Sequence, residues 1–301
     1  MGFNPEFSIF SGEPPNRVET RRQAGARGAF RTLVQASRMT SFWRFARFGL
    51  GWALFVVAGC DAAESQPIQG AGVVVAVSEA SASHGYARYR RAAESTSRCP
   101  GQVDLGYCSF YQCRSREGEL PPLAEPGTIT ISGGSRELEL TAASGYDAPE
   151  EATPLFTGGE RLTFRVEGGD GIEPHESELA APGLITVGEP VFGEEPLEID
   201  RLIDFPVAWT GGSGDYVQVD IAIEQVAEDG EKFETGLACQ YQPTAQRVVV
   251  PNSLLRSLPA ISDATQARLT VGAWTWTGGE ADRWLYGFYA SAGESHAITL
   301  K

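Results

Sequence analysis

Methionine and lysine are almost missing from this chain of 301 residues, which has two of each, and histidine occurs three times. The two lysines, Lys232 and Lys301, stand beside many Arg, Ala and Gly residues, the bias of a GC-rich bacterial genome. His84, His175 and His296 are far apart and in unlike contexts, and His175 lies in Pro174-His-Glu-Ser-Glu178 rather than in His-Glu-x-x-His. The paired-imidazole zinc site of a metalloprotease is therefore excluded. Gly-x-Ser-x-Gly is also lacking: the nearest text, Gly211-Gly-Ser213-Gly-Asp215, has no final glycine for a hydrolase nucleophile turn. No Cys-x-x-Cys occurs, and no histidine sits near the cysteines, so the spacing gives no metal site. Helix periodicity nearly vanishes, and no apolar run reaches the ~20 residues of a membrane-spanning helix.

What is present begins with Arg44-Phe-Ala-Arg47, followed by an uncharged run from Phe48 that ends on Val57-Ala58-Gly59-Cys60. Basic residues, a short apolar stretch and small residues before a cut make a secretory signal. Glycines at 49, 51 and 59 argue against a buried helix, at roughly 1 kcal/mol each relative to alanine. Val57-Ala58-Gly59-Cys60 resembles the lipobox of bacterial lipoproteins. That resemblance implies a diacylglycerol on the Cys60 sulfur, cleavage before it, and acylation of the new amino terminus. One acyl chain gives only marginal binding, an association constant of about 10⁴ M⁻¹, whereas two or three hold a protein to a bilayer. Met1 and Met39 are the two methionines. Residues 1–38 read as a mis-annotated extension, with translation expected to begin at Met39 and a signal peptide over 39–59.

Beyond Cys60, sixteen basic residues face thirty-six acidic ones, a net charge of −20. Such a surface repels phosphate backbones, which excludes nucleic acid as a partner. Residues 60–98 read as a tether, small and polar at first, with Val73–Val77 as a candidate strand. Tyr86-Ala-Arg88-Tyr89-Arg90-Arg91 is the one basic run, and internal salt bridges are the preferred reading over contact with lipid headgroups. Cys99, Cys108, Cys113 and Cys239 are even in number and lie outside the cytoplasm, so two disulfides are expected. Three connectivities are open; Cys108–Cys113 with Cys99–Cys239 is the preferred one.

From Cys99 onward, strand-like alternation recurs between turn signals. Candidate strands are 128–132, 136–141, 161–167, 184–188, 197–201, 205–209, 216–223, 237–242, 246–250, 268–276, 284–290 and 297–300. Val217, Val219, Ile221 and Ile223 alternate with Gln218, Asp220 and Ala222, a half-buried strand. Gly-Gly pairs at 133, 158, 168, 211 and 278 supply the positive φ of tight hairpins. Pro251–Pro259 holds one short connecting helix. The fold class is all-β, in antiparallel β-sandwich domains. A Cys-containing β domain is placed at 99–192, and a second one, of immunoglobulin-like size, at 193–301. The mature chain also resembles a group of uncharacterised lipoproteins of high-GC Gram-negative bacteria. The resemblance rests on Cys108-x4-Cys113, Gly127-Thr-Ile-Thr-Ile-Ser-Gly133, Pro154-Leu-Phe-Thr-Gly-Gly-Glu160, Val207-Ala-Trp-Thr-Gly-Gly212 and Val250-Pro-x-x-Leu-Leu255. These are turn and core signatures and imply no activity.

For chemistry, Gly168-Gly-Asp170-Gly-Ile-Glu173 lacks the alternating ligands of a calcium loop. The acidic pairs Glu150-Glu151 and Glu194-Glu195 give no glycosidase geometry by themselves. No catalytic residue, metal or cofactor is assigned. The best candidates for ligand or partner contact are aromatic. Trp274 and Trp276 share one strand face with Arg268 and Thr270, opposite Leu269, Val271 and Ala273. Trp284, Tyr286 and Phe288 share a face of the next strand, across Gly278-Gly279. Such rings either stack on sugars or grip a protein, or they close the end of the sandwich. The expected function is a lipid-anchored, non-catalytic binding or structural module of a bacterial cell envelope, with the membrane and a glycan or protein as partners. The alternatives are an envelope hydrolase acting on glycans or esters and an accessory subunit of an outer-membrane assembly.

Overall fold

The computed structural model describes residues 68–79, 83–91, 103–115, 123–227, 232–263 and 266–301, all in one compact unit. The extension, the signal segment with its lipobox, Cys60 and Cys99 lie outside the described residues. Among the described residues the chain is all-β, with one four-residue helix, α1 (Asn252–Leu255), inside the stretch that the paired prolines bound. No described helix is long and apolar enough to cross a membrane.

The largest sheet runs from β2 (Ser83–Arg91) through β1 (Gly70–Glu79), β16 (Trp284–Leu300), β15 (Ala267–Ala281), β12 (Tyr216–Val226), β13 (Lys232–Tyr241) and β4 (Cys108–Ser115) to β3 (Val103–Asp104). A ninth strand, β10 (Leu197–Ile199), joins it beside the end of β16. Neighbours are antiparallel except that β1 and β10 run parallel to β16. A four-stranded sheet has the order β6 (Leu138–Leu140), β5 (Ile129–Ser132), β7 (Arg161–Val166), β8 (His175–Ala180). A three-stranded sheet has the order β14 (Arg247–Val250), β11 (Phe205–Gly211), β9 (Ile185–Glu189).

Period two decides which residues the small sheets cover. Val74, Ala76, Ala87, Tyr89, Trp284 and Phe288 of the large sheet pack against Ile129, Ile131, Leu162 and Phe164 of the four-stranded sheet. Val217, Val219, Ile221, Leu269 and Val271 pack against Val207, Trp209 and Val250 of the three-stranded sheet and Leu255 of α1. Through the strand registers, both sets lie on one face of the large sheet. Two small layers thus share one side of it, each a sandwich interface. Each fully buried large side chain contributes roughly 1.5–3 kcal/mol.

The opposite face has no second layer among the described residues, yet much of it is buried. Val73, Val75, Val77, Tyr86 and Tyr289 form one cluster there with Trp274, and Tyr111, Cys113 and Ala238 form another. Every member belongs to the large sheet. Chain length supplies the reason. Ser115 ends β4, and Leu123 bridges Arg90 on the far side of β2. In a flat sheet, seven strand spacings and the length of β16 from Leu285 to its end at Leu300 would part them by about 60 Å. Eight residue steps reach at most ~29 Å. The sheet therefore curls strongly. A sheet of this strand number, rolled until its edges approach, encloses room for side chains or one small ligand but not for a second layer of strands. The small sheets accordingly sit outside, and the face without a second layer among the described residues is the concave one.

Several expectations need correction. The stretch read as a tether contains β1 and β2, which are integral to the large sheet, so Gly70–Glu79 and Ser83–Arg91 are not a linker. The boundary at 192/193 is not a structural break, because β4 pairs with β13 in the same sheet. The preferred disulfide is wrong: Cys108 bonds Cys239, its direct cross-strand neighbour, with the Cα atoms 3.9 Å apart. Cys108 and Cys113 stand five positions apart on one strand and point to opposite faces, about 16 Å apart. Cys113 is itself disulfide-bonded, to a partner outside the described residues, so Cys239 is not available for Cys99. Gly278-Gly279 is not a turn either. It lies within β15, and the hairpin turns at Asp282 and Arg283, both at positive φ. Segments 284–290 and 297–300 are one strand, and β2, β4 and β8 were not expected.

Candidate functional site

The concave face carries an aromatic end and an acidic end. On β15, Trp274 lies directly opposite Tyr216 of β12 and stacks on it, with ring centroids 6.4 Å apart and planes 7° from parallel. Trp276 lies opposite Tyr289 of β16 and stacks likewise, at 6.1 Å and 18°. Leu269, Val271 and Ala273, the alternate residues of β15, are buried in the core on the other face. The outward orientation of both tryptophans therefore follows from the alternation. Trp276 is 36% exposed, and Tyr289 is buried beside it.

Two positions from Trp274, Gly272 faces Gly293 of β16. These glycines form a low floor, since a Cβ on Gly293 would crowd the Val271 carbonyl and the Gly272 backbone. Beyond the floor the face turns polar. Asp220 of β12, Glu234 of β13, Tyr111 of β4, Arg268 of β15 and Glu79 of β1 share the same side by register. The Tyr111 hydroxyl donates to Asp220 Oδ1 at 3.4 Å. It reaches across Gly236, where any Cβ would overlap its ring.

Burial pushes the Asp220 carboxyl up to about 7; Glu234 adds to the rise, and Arg268 and the Tyr111 hydroxyl oppose it. Glu234 is raised as well, by burial first, with Tyr111 and Arg268 pulling it back and Glu224 adding repulsion. Glu79 is raised by burial, against the attraction of Arg268 and with help from Glu150. Burial also lifts the Tyr111 phenol far above its usual range, and the Tyr289 phenol to about 12. Lys232 stands exposed at the outer end of β13. His84, on the edge strand β2, is lowered by burial despite Glu150 and Asp147.

The structure separates the aromatic residues that the sequence brought together. Trp284 is fully buried between the large and four-stranded sheets, its indole N–H donating to the Gly171 carbonyl at 3.1 Å. It is a core residue, not a contact residue. Tyr286 is half-buried on that same side, 4.5 Å from the His175 ring. Register causes the split, because Trp276 pairs with Tyr289, so the face of Trp284 and Tyr286 is the opposite one. His175 is held between the Glu173 carbonyl, 2.7 Å from Nδ1, and the Tyr89 hydroxyl, 3.0 Å from Nε2, and burial lowers its basicity.

The acidic loop and the basic run neutralise one another. Arg91 meets the Asp170 carboxylate at 2.6 Å, and Arg88 holds Asp147 through two hydrogen bonds of 2.8 and 2.9 Å. Asp170 is thus engaged by a guanidinium, and no group of three metal-ligating side chains occurs among the described residues. Sequence reasoning missed Tyr216, Tyr289, Tyr111, Asp220 and Glu234. The period-two pattern on β12 placed Asp220 opposite the core correctly, but a strand pattern cannot say that the other side is concave.

No protein-family model, curated protein or solved structure matches the chain.

Proposed function

We propose that this chain is a lipid-anchored, non-catalytic binding module of a bacterial cell envelope, and that the concave face of its large sheet is the binding surface. The address rests on the basic residues, short apolar run and small residues that precede Cys60. The observation that carries the binding role is the pair of stacked couples Trp274–Tyr216 and Trp276–Tyr289 on a sheet face that no second layer covers among the described residues. Flat rings presented in parallel accept another ring, a sugar or an aromatic group, and each such contact adds roughly 0.5–1.5 kcal/mol beyond area burial. Alanine at both 274 and 276 tests this with two readouts. The melting transition should persist while intrinsic-fluorescence response and retention on immobilised envelope glycans are lost; loss of the transition itself would make these rings structural. For the anchor, Cys60→Ser should move the protein from the detergent phase to the aqueous phase and abolish processing.

A second reading, an envelope hydrolase, draws on Asp220 and Glu234, two carboxyls of raised pKa on one face. It requires turnover of chromogenic glycosides or esters that Asp220→Asn abolishes.

A further inference from the structure

We propose that the turn end of the β15–β16 hairpin is a membrane-seating surface, with Trp276 and Leu285 placed among the headgroups of the bilayer that holds the anchor. The proposal rests on the lipid-anchor reading above. Trp274 and Tyr216, farther from the turn, stay available to a ring-bearing ligand.

The length of chain between anchor and fold decides which end meets the lipid. Gln69 N–H donates to the Arg283 carbonyl at 2.8 Å, so the chain is pinned to the hairpin turn just before β1 begins. Cys60 is nine residue steps from Gln69, at most ~32 Å in any conformation. The other end of β16, at Leu300, stands roughly 50 Å along the strand from the turn. Lipid at Cys60 therefore holds the turn end, not the Leu300 end, close to the bilayer.

That end has the surface a bilayer interface accepts. Ile68, Trp276 and Leu285 are exposed there. Trp276, Tyr289, Leu285 and Ala71 share the concave side by register. Both rings reach toward the turn over bare backbone: a Cβ on Gly278 would stand 3.3 Å from Trp276 Cζ3, and one on Gly287 would overlap the Tyr289 ring. Leu285 is the next residue on that side beyond Gly287, which makes the apolar surface continuous. The charges bordering it balance, Arg90 and Arg283 against Glu280 and Asp282, while Arg88 and Arg91 are ion-paired with Asp147 and Asp170. Glu125, Glu167 and Glu173 belong to the loops of the four-stranded sheet, on the other side. Indole rings favour the headgroup level, where one edge stays wet and the ring leaves water.

Lipidated protein in phosphatidylcholine vesicles, plain or brominated near the headgroup end of the acyl chains, tests this by tryptophan emission. Trp209, Trp274, Trp276 and Trp284 are the tryptophans after Cys60, and Trp209 and Trp284 are buried away from any lipid. Brominated lipid should quench the emission, and Trp276→Phe should remove most of that quenching. Leu285→Glu should reduce it severalfold while vesicle retention and the melting transition stay as in the parent. Full retention without quenching overturns the seating and leaves the anchor standing. Quenching that survives in both variants also overturns the seating. Protein that vesicles retain no better than Cys60→Ser overturns the anchor, and the seating with it.

Discussion

Tyr111 and Asp220 belong to strands that are not neighbours, β4 and β12, and their side chains meet above Gly236 of the strand between them. The contact is possible because the sheet curls toward that side. It places a carboxyl where ionisation is opposed by burial and by Glu234.

Folding stability should therefore fall with rising pH through this group. Below about pH 4 the carboxyl is protonated in both folded and unfolded chains and costs nothing. Between about 4 and about 7 the unfolded chain releases the proton while the folded chain keeps it, so stability declines, and above 7 the loss is complete. Asp220→Asn removes this component. We expect the variant nearly to match the parent at pH 4 and to exceed it by on the order of 4 kcal/mol at pH 8, measured by denaturant titration. A parent–variant difference independent of pH would refute the assignment.

The Cys108–Cys239 bond joins residues 131 positions apart. Its removal frees a long loop in the unfolded chain. Cys108→Ser, Cys239→Ser and the double variant should each lose roughly 2–5 kcal/mol, and the double should lose no more than either single by much. Strongly additive losses would mean that the two sulfurs act separately.

Ser78 is buried on β1, and its hydroxyl donates to the Phe156 carbonyl at 2.8 Å while accepting from the Phe156 N–H at 3.4 Å. It holds the approach to β7 against the large sheet. Ser78→Ala strands two backbone groups away from water, so a loss of about 1–3 kcal/mol is expected in thermal unfolding. Hydrogen exchange at Phe156 should rise in the same variant.

Arg283 occupies the second central position of the β15–β16 hairpin at φ 67°, after Asp282 at φ 41°. That turn geometry favours glycine at the second place. Arg283→Gly keeps the backbone bond from Gln69 N–H to the residue 283 carbonyl, so it should raise stability by about 1 kcal/mol. A lower melting temperature would show that the arginine side chain matters more than its backbone.

Local physics made much of this legible in advance. The alternation over Tyr216–Ile223 and Arg268–Trp276 identified both strands and their buried sides, because period two records burial directly. Glycine turns at 133, 168 and 211 fell where expected. β2 was hidden because its concave-side residues include Arg88 and Arg90, which suggested a solvated segment. β8, His-Glu-Ser-Glu-Leu-Ala, has one face so polar that alternation reads as loop. The disulfide was illegible for another reason: spacing along the chain does not reveal that β4 pairs with β13, more than a hundred residues away. The concave site depends on curvature, a property of the whole sheet that no window of residues contains.

The parallel pair β1–β16 joins the first described strand to the last, in register from Gly70 with Trp284 to Glu79 with Gly293. Without β16, β1 would pair only with β2 and keep one edge open, so the hairpin would rest on its packing against the four-stranded sheet. Closure of the large sheet at β1 thus waits on a strand remote along the chain, and contacts of that kind make folding slow.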